Sequence, residues 1–182
     1  MVEMQRSLQS AGVAARWARP EGIHLTLKFL GEIQESQVPV IMDSLVRAGG
    51  SSSGFRIEIA GAGAFPDPKN ARVVWLGISG DADGLMKLQA VVEAAMVGAG
   101  FEREDRAFTP HLTLGRIRQI RSRAAWLKAL DELGHIRLPG FDVKSVCLMK
   151  SELKPSGAVY TELGRMKLNN FGIDFSSPQK EK

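Results

Sequence analysis

Two of the three histidines in this chain open the same tetrapeptide, His24-Leu25-Thr26-Leu27 and His111-Leu112-Thr113-Leu114. Each copy follows a turn-like stretch, Arg19-Pro20-Glu21-Gly22 before the first and the charged loop Phe101–Pro110 before the second. Successive side chains of a strand point to opposite faces. His24 and Thr26 are therefore expected on one face with Leu25 and Leu27 on the other, and the second copy should repeat this. The pattern calls for a fold that buries one side of two separate strands and leaves the other side open. Duplication of a structural hairpin would explain the repeated leucines. It gives no reason for the repeated histidine and threonine.

The surrounding pattern is α+β. Apolar residues at helical spacing predict helices over Glu35–Ala48, Asp83–Gly98 and Arg123–Leu133, and Glu3–Ser10 reads as the end of another. Alternating or densely apolar stretches predict strands at Ala14–Ala18, Ile23–Gly31, Phe55–Ala60, Arg72–Ile78, His111–Ile117, Val143–Leu153 and Ala158–Leu168, the last two joined as a hairpin through Lys-Pro-Ser-Gly. Several strands follow one another directly, which favours antiparallel sheets. The alternation around Trp75 and the apolar strand holding Cys147 read as core, and His135, just past a helix end, reads as structural. Residues 1–170 are expected to form a single domain, with 171–182 a loose polar tail.

Bulk properties exclude some functions. A chain of 182 residues, 44% hydrophobic and 24% charged, can bury a sizeable core without cross-links. One cysteine cannot form an internal disulfide, no apolar run has the length of a membrane span, and the N-terminus lacks the apolar core of a signal peptide. A cytoplasmic location with no membrane association is expected. The net charge of +4 is compatible with a phosphate-bearing partner without demanding one.

The paired motifs have a chemical use. A cyclic phosphodiester is opened by in-line attack of water on phosphorus, which needs one group to take a proton and another to give one to the departing ribose oxygen. Histidine, with an ordinary pKa of about 6.5, suits both tasks. A threonine hydroxyl can donate a hydrogen bond to a non-bridging phosphate oxygen. Two such pairs face to face would surround one phosphate without a metal. No third histidine or cysteine accompanies the pair as a catalytic zinc site would require, and no glycine-rich phosphate loop is present. No cofactor and no metal are expected.

The chain resembles the two-histidine phosphoesterases, in particular the RNA 2′,3′-cyclic phosphodiesterase, or 2′-5′ RNA ligase, family. The resemblance rests on residues 19–31 and 106–116 around the two motifs, on Gly63-Ala64-Phe65-Pro66 with 71–77, and on 151–155 with Gly157-Ala158-Val159-Tyr160. It covers about Ala14 to Leu168. It implies a bilobal fold, two similar lobes of mostly antiparallel sheet with outer helices, each lending one motif to a central cleft. It also implies roles: His24 as proton donor to the leaving oxygen, His111 as proton acceptor, Thr26 and Thr113 as phosphate holders, and a 2′-phosphate as product. Some family members also join RNA ends through a 2′-5′ bond. Members usually open with an apolar strand before the first helix. This chain begins inside that helix, so the strand is expected to be missing and a wall of the substrate site is in question.

The expected partner is RNA ending in a 2′,3′-cyclic phosphate, tRNA fragments among the candidates, bound by a monomer. Three further residues are candidate substrate contacts. Lys28 shares the face of His24 and Thr26 and could help neutralise the phosphate. Phe108 could stack on a base or pack in the core. Arg116 would point away from His111 on a regular strand, but a bulge at Gly115 could redirect it towards phosphate. Arg118, Arg121 and Arg123 could steer RNA or be a solvated surface. Two other readings stay open at this stage, an RNA-end binding module without turnover and a phosphodiesterase for a small cyclic nucleotide.

Overall fold

The computed structural model describes residues 1–50, 52–154 and 157–169. Its elements run α1 (Val2–Ser10), β1 (Val13–Trp17), α2 (Val38–Gly49), β2 (Phe55–Phe65), β3 (Val73–Gly80), α3 (Ala82–Gly98), β4 (His111–Ile120), α4 (Arg123–Gly134), β5 (Arg137–Val143), β6 (Ser145–Lys154) and β7 (Gly157–Lys167). Two single 3-10 turns stand at Pro20–Gly22 and Glu35–Gln37. The Pro155-Ser156 part of the expected hairpin turn and the expected tail 171–182 lie outside the described residues.

β1, β4, β3, β2 and β5 form, in that order, a five-stranded sheet, and β6 and β7 form a two-stranded one. Every strand pair is antiparallel. One face of the larger sheet is covered by α1 and α4. Leu8, Val74, Leu76, Leu114 and Trp126 are fully buried there. A second core gathers Ile41 and Leu45 of α2, Leu85, Leu88, Val92 and Met96 of α3, Phe55 and Ile57 of β2, and Leu148 and Met166 of the smaller sheet. Leu25 and Ile78 touch both cores. Each buried aliphatic side chain contributes about 1.5–3 kcal/mol.

The helices start where local chemistry allows. The Asp81 carboxylate accepts a hydrogen bond from the Gly84 N–H at 2.8 Å, and the Ser122 hydroxyl accepts one from the Ala125 N–H at 3.3 Å. These caps satisfy donors that the first helical turn leaves over. Buried positions 85, 88, 92 and 96 then keep one stripe of α3 on the core.

Three expectations need correction. Ile23–Gly31 is not a laddered strand: only Leu25 pairs, through a single antiparallel bridge to Leu112. The chain leaves the sheet edge because Leu27, Leu30 and Ile33 turn into the second core instead. β5 was not among the expected strands; it contains Pro139 and Gly140, residues that disfavour a strand interior. It is tolerated as an edge strand, where the pairing register to β2 shifts between Ile57 and Ile59, opposite these two residues. Cys147 is half-buried rather than core. Val146 and Leu148 face the second core, and burial pushes the Cys147 thiol up from its ordinary pKa despite the opposing charge of Arg165.

Trp126 is wholly buried, and its indole N–H donates to the Pro68 carbonyl at 2.9 Å. Trp126→Ala should cost about 3–5 kcal/mol through cavity formation and the lost bond, and Trp126→Phe clearly less. Denaturant unfolding of the two variants checks the order.

Candidate active site

The two motifs meet edge to edge. The antiparallel bridge joins Leu25 to Leu112, the second residue of each motif, and both leucines turn into the core behind the sheet. In that register His24 lies opposite Thr113 and Thr26 opposite His111. The bridge sets the motifs side by side about a local two-fold, and on β4 His111 and Thr113 lie on the face turned away from α1 and α4, opposite the buried Leu112 and Leu114. Diagonal neighbours in such a pair stand about 7–8 Å apart at the backbone, a span that lets two imidazoles flank one phosphate.

Both rings are held in the same way. Nδ1 of His24 is 2.8 Å from the Gly22 carbonyl, and Nδ1 of His111 is 2.7 Å from the Thr109 carbonyl, two residues back in each case. A carbonyl oxygen can only accept, so Nδ1 carries the proton in both rings. Nε2 is left as the atom that gains or gives a proton. The third histidine is held differently: His135 Nδ1 lies 2.8 Å from the Asp131 carbonyl at the end of α4, a structural contact.

Aromatic rings flank each imidazole. Tyr160 of β7 meets His24 edge-on, with centroids 4.6 Å apart at 70°. Phe65 meets His111 at 4.9 Å and 84°, and Trp75 stands 6.1 Å from it. Trp75 was expected in the core. Alternation along β3 instead buries Val74 and Leu76 and turns Trp75 to the motif face, opposite Thr113. Its indole lies over Gly63, where a Cβ would come within 2.3 Å of the ring. Among the described residues the buried Trp75 Nε1 has no hydrogen-bond partner.

β4 carries a bulge inside the second motif. Trp75 pairs with Thr113 and Val74 with Gly115, so Leu114 is the extra residue. Past the bulge Arg116 pairs with Val73, which alternates with Trp75, so Arg116 returns to the face of His111 and Thr113. Gly115 permits this turn: a Cβ there would lie 2.8 Å from the Trp17 ring. Gln5 secures it from behind, its side-chain amide donating to the Ala18 carbonyl at 2.7 Å and the Leu114 carbonyl at 3.0 Å. Gln5 was not singled out from the sequence. The available signal was a polar residue beside Met4 on the buried side of a helix. Tyr160 was noted only as part of the closing hairpin.

Two candidate contacts are engaged elsewhere, Lys28 in an ion pair and Phe108 in the core packing that was one of its two readings. The Lys28 ammonium is almost fully buried and bonds both Glu93 carboxylate oxygens, at 2.8 and 2.9 Å, and the Glu102 carbonyl at 2.8 Å. Its charge is spent on Glu93, because the chain has left the strand alternation that would have aligned Lys28 with His24. Phe108 packs against the second core. Arg118, Arg121 and Arg123 are exposed. Among the described residues no three His, Cys, Asp or Glu side chains are gathered to hold a metal, and no helix is long and apolar enough to cross a membrane.

An α+β fold with two identical histidine-threonine motifs joined across a two-fold is the arrangement of a two-histidine phosphoesterase. The model of the 2′-5′ RNA ligase superfamily matches residues 6–155, and the chain belongs to that family. An RNA 2′,3′-cyclic phosphodiesterase of Aeropyrum pernix is 35% identical over 172 residues, 94% of this chain and 97% of the relative. One from Methanothermobacter thermautotrophicus is 34% identical over 165 residues, covering 91% and 89%. Among solved structures, E. coli LigT complexed with 3′-AMP shares the fold with a TM-score of 0.67 at 23% identity, over 93% of each chain. A protein of Thermus thermophilus does so with a TM-score of 0.70 at 24% identity, over 92% of each.

The Lys28–Glu93 pair sets a stability test. Burial opposes ionisation of Glu93, but the Lys28 ammonium and the Glu104 N–H outweigh it and hold the carboxyl below its ordinary range. A folded-state pKa below the unfolded value of about 4.3 contributes stability above that pH, lost as pH falls through the lower folded value. Lys28→Met should strand the carboxylate and cost about 3 kcal/mol at pH 7. It should also reduce the loss of stability on acidification below about pH 4.3. Denaturant midpoints measured at pH 7 and at descending pH check both.

Proposed function

We propose that this protein hydrolyses the 2′,3′-cyclic phosphate at the end of an RNA to a 2′-phosphomonoester, by acid-base catalysis without a metal. The observation that carries this reading is the two-fold pairing of the motifs through Leu25 and Leu112, with both imidazoles held through Nδ1. The names of relatives more than 30% identical over nearly the whole chain support the substrate class.

In the proposed reaction, Thr26 and Thr113 donate hydrogen bonds to the non-bridging oxygens and hold the phosphate between the two Nε2 atoms. The family pattern gives the order of roles. Nε2 of His111 takes a proton from water as the water oxygen bonds to phosphorus. The bond from phosphorus to the ribose 3′ oxygen breaks, and Nε2–H of His24 gives that oxygen its proton. The 2′ ester bond remains. Held Nδ1 protons keep both rings oriented, so little reorganisation accompanies proton transfer. A 5′-hydroxyl in the place of water would yield a 2′-5′ linkage by the same transfer.

An oligonucleotide ending in a 2′,3′-cyclic phosphate should give a 2′-monoester, identified by chromatography against both monoester standards. His24→Ala and His111→Ala should each lower turnover by about 10²–10⁴-fold without unfolding the chain. The double variant should lie close to either single variant rather than at the product of their losses, because the pair acts as a unit. Near-normal turnover by either single variant rejects the assignment, and strong inhibition by excess chelator rejects metal independence.

A further inference from the structure

The hairpin of β6 and β7 turns one face to the second core, through Val146, Leu148 and Met166. Its other face carries Ser145, Cys147, Met149 and Ser151 of β6 and, directly opposite them, Lys167, Arg165, Glu162 and Tyr160 of β7. That alignment depends on a bulge. Leu148 pairs with Gly164 and Met149 with Glu162, so Leu163 is an extra residue, and without it Tyr160 and Lys167 would point to opposite faces. One end of this face meets His24 through the Tyr160 ring. At the other end Lys144, Ser145, Arg165 and Lys167 line a cavity of about 360 Å³. From Ser151, opposite Tyr160, to Ser145, opposite Lys167, is six residues of β6, roughly 20 Å.

Positive charge collects at the far end. Lys144 Nζ lies 3.4 Å from Asp142, which also takes Arg56 at 3.1 Å, and Arg165 bonds Glu162 at 2.5 Å and the Ser145 hydroxyl at 3.1 Å. Arg56, Lys144, Arg165 and Lys167 thus stand against two carboxylates, and among the described residues Lys167 has no ion-pair partner. Exposed ion pairs of this kind are weak and exchange readily for a phosphate. Nearer the site Tyr160 and Met149 are exposed on the same face. An aromatic ring leading into a basic groove is how single strands are held without their sequence being read. The proposed reaction says which way an RNA leaves the site. The departing oxygen belongs to the ribose and takes its proton from His24, while water enters on the opposite side, at His111. The ribose and the chain attached to it therefore lie on the His24 side, where Tyr160 begins this face. We infer that the outer face of the hairpin is a track for the single-stranded RNA upstream of the reacting end. The Lys144, Arg165 and Lys167 cavity holds a backbone phosphate about three or four nucleotides back. This rests on the proposed phosphodiesterase reading and adds to it a preference for longer strands.

The test compares kcat/KM for a dinucleotide, a tetranucleotide and a hexanucleotide, all ending in a 2′,3′-cyclic phosphate. The wild type should favour the hexanucleotide over the dinucleotide by about tenfold, the worth of a charge-assisted contact. Lys144→Gln and Lys167→Gln should each shrink that preference, the double variant should bring it near one, and Lys167→Arg should keep it. Rising salt should erode it in the wild type more than in the double variant. Equal kcat/KM at all lengths in the wild type overturns the track while leaving ring opening intact. A preference unchanged in the double variant, folded by circular dichroism, overturns the assignment to this face. Calorimetric binding of inorganic phosphate that the double variant loses, without any dependence on RNA length, overturns RNA as the occupant. Should no oligonucleotide be opened, the phosphodiesterase reading itself fails, and binding followed by fluorescence anisotropy decides the track. Tighter binding of a hexanucleotide than of a dinucleotide, both ending in a 2′-phosphate, weakened in the double variant, upholds it, and equal binding overturns it.

Discussion

The single backbone bridge between Leu25 and Leu112 is the contact on which the site depends. It joins the second residue of one motif to the second residue of the other, and this identity of position creates the two-fold. Displacing the pairing by one residue would turn either His24 and Thr26 or their partners towards the core, because side chains alternate with a period of two. The register is guarded by packing. Leu112 and Leu114 are buried behind the sheet, and Leu25 touches both cores, so a slip would expose apolar surface and bury imidazole.

β4 gives this pairing its shape. It takes β3 on one edge and β1, followed by Leu25, on the other, and it is bulged against both neighbours. Bulges bend a strand and re-aim its side chains. Small residues make the close approaches possible: Gly115 under Trp17 and Gly63 under Trp75. A helix residue, Gln5, supplies hydrogen bonds where β1 leaves β4 and the ladder is interrupted. Local backbone irregularity and the satisfaction of its polar groups thus belong to the same design as the paired imidazoles.

Much of the fold was legible from apolar spacing. The helices at 83–98 and 123–133 occur close to their expected bounds, and the antiparallel, α+β character follows from strands in succession. What misled was the assumption that alternation continues. Lys28 would share a face with His24 only if residues 24–28 stayed extended along the sheet. They turn inward after the bridge, and the ammonium ends on Glu93, far away in sequence. Trp75 misled in the opposite sense. Its apolar character suggested core, whereas its neighbours Val74 and Leu76 occupy the core and leave it beside His111. Arg116 needed knowledge of the bulge, which glycine at 115 hinted at and the pairing with β3 settled.

By itself the sequence determined which chemical groups are available and which faces they share within each motif, because the alternation of a strand is local and needs no partner. It also determined that a turn-like stretch precedes each motif, from which each imidazole can reach a carbonyl two residues back. Tertiary structure alone decided that the two motifs are antiparallel neighbours, that aromatic rings from β2, β3 and β7 stand against the histidines, and that Arg116 returns to the face of His111. These are pairings between segments distant along the chain. They are set by the burial of Leu25, Leu112 and Leu114 and by the placement of bulges, which no short stretch of sequence encodes.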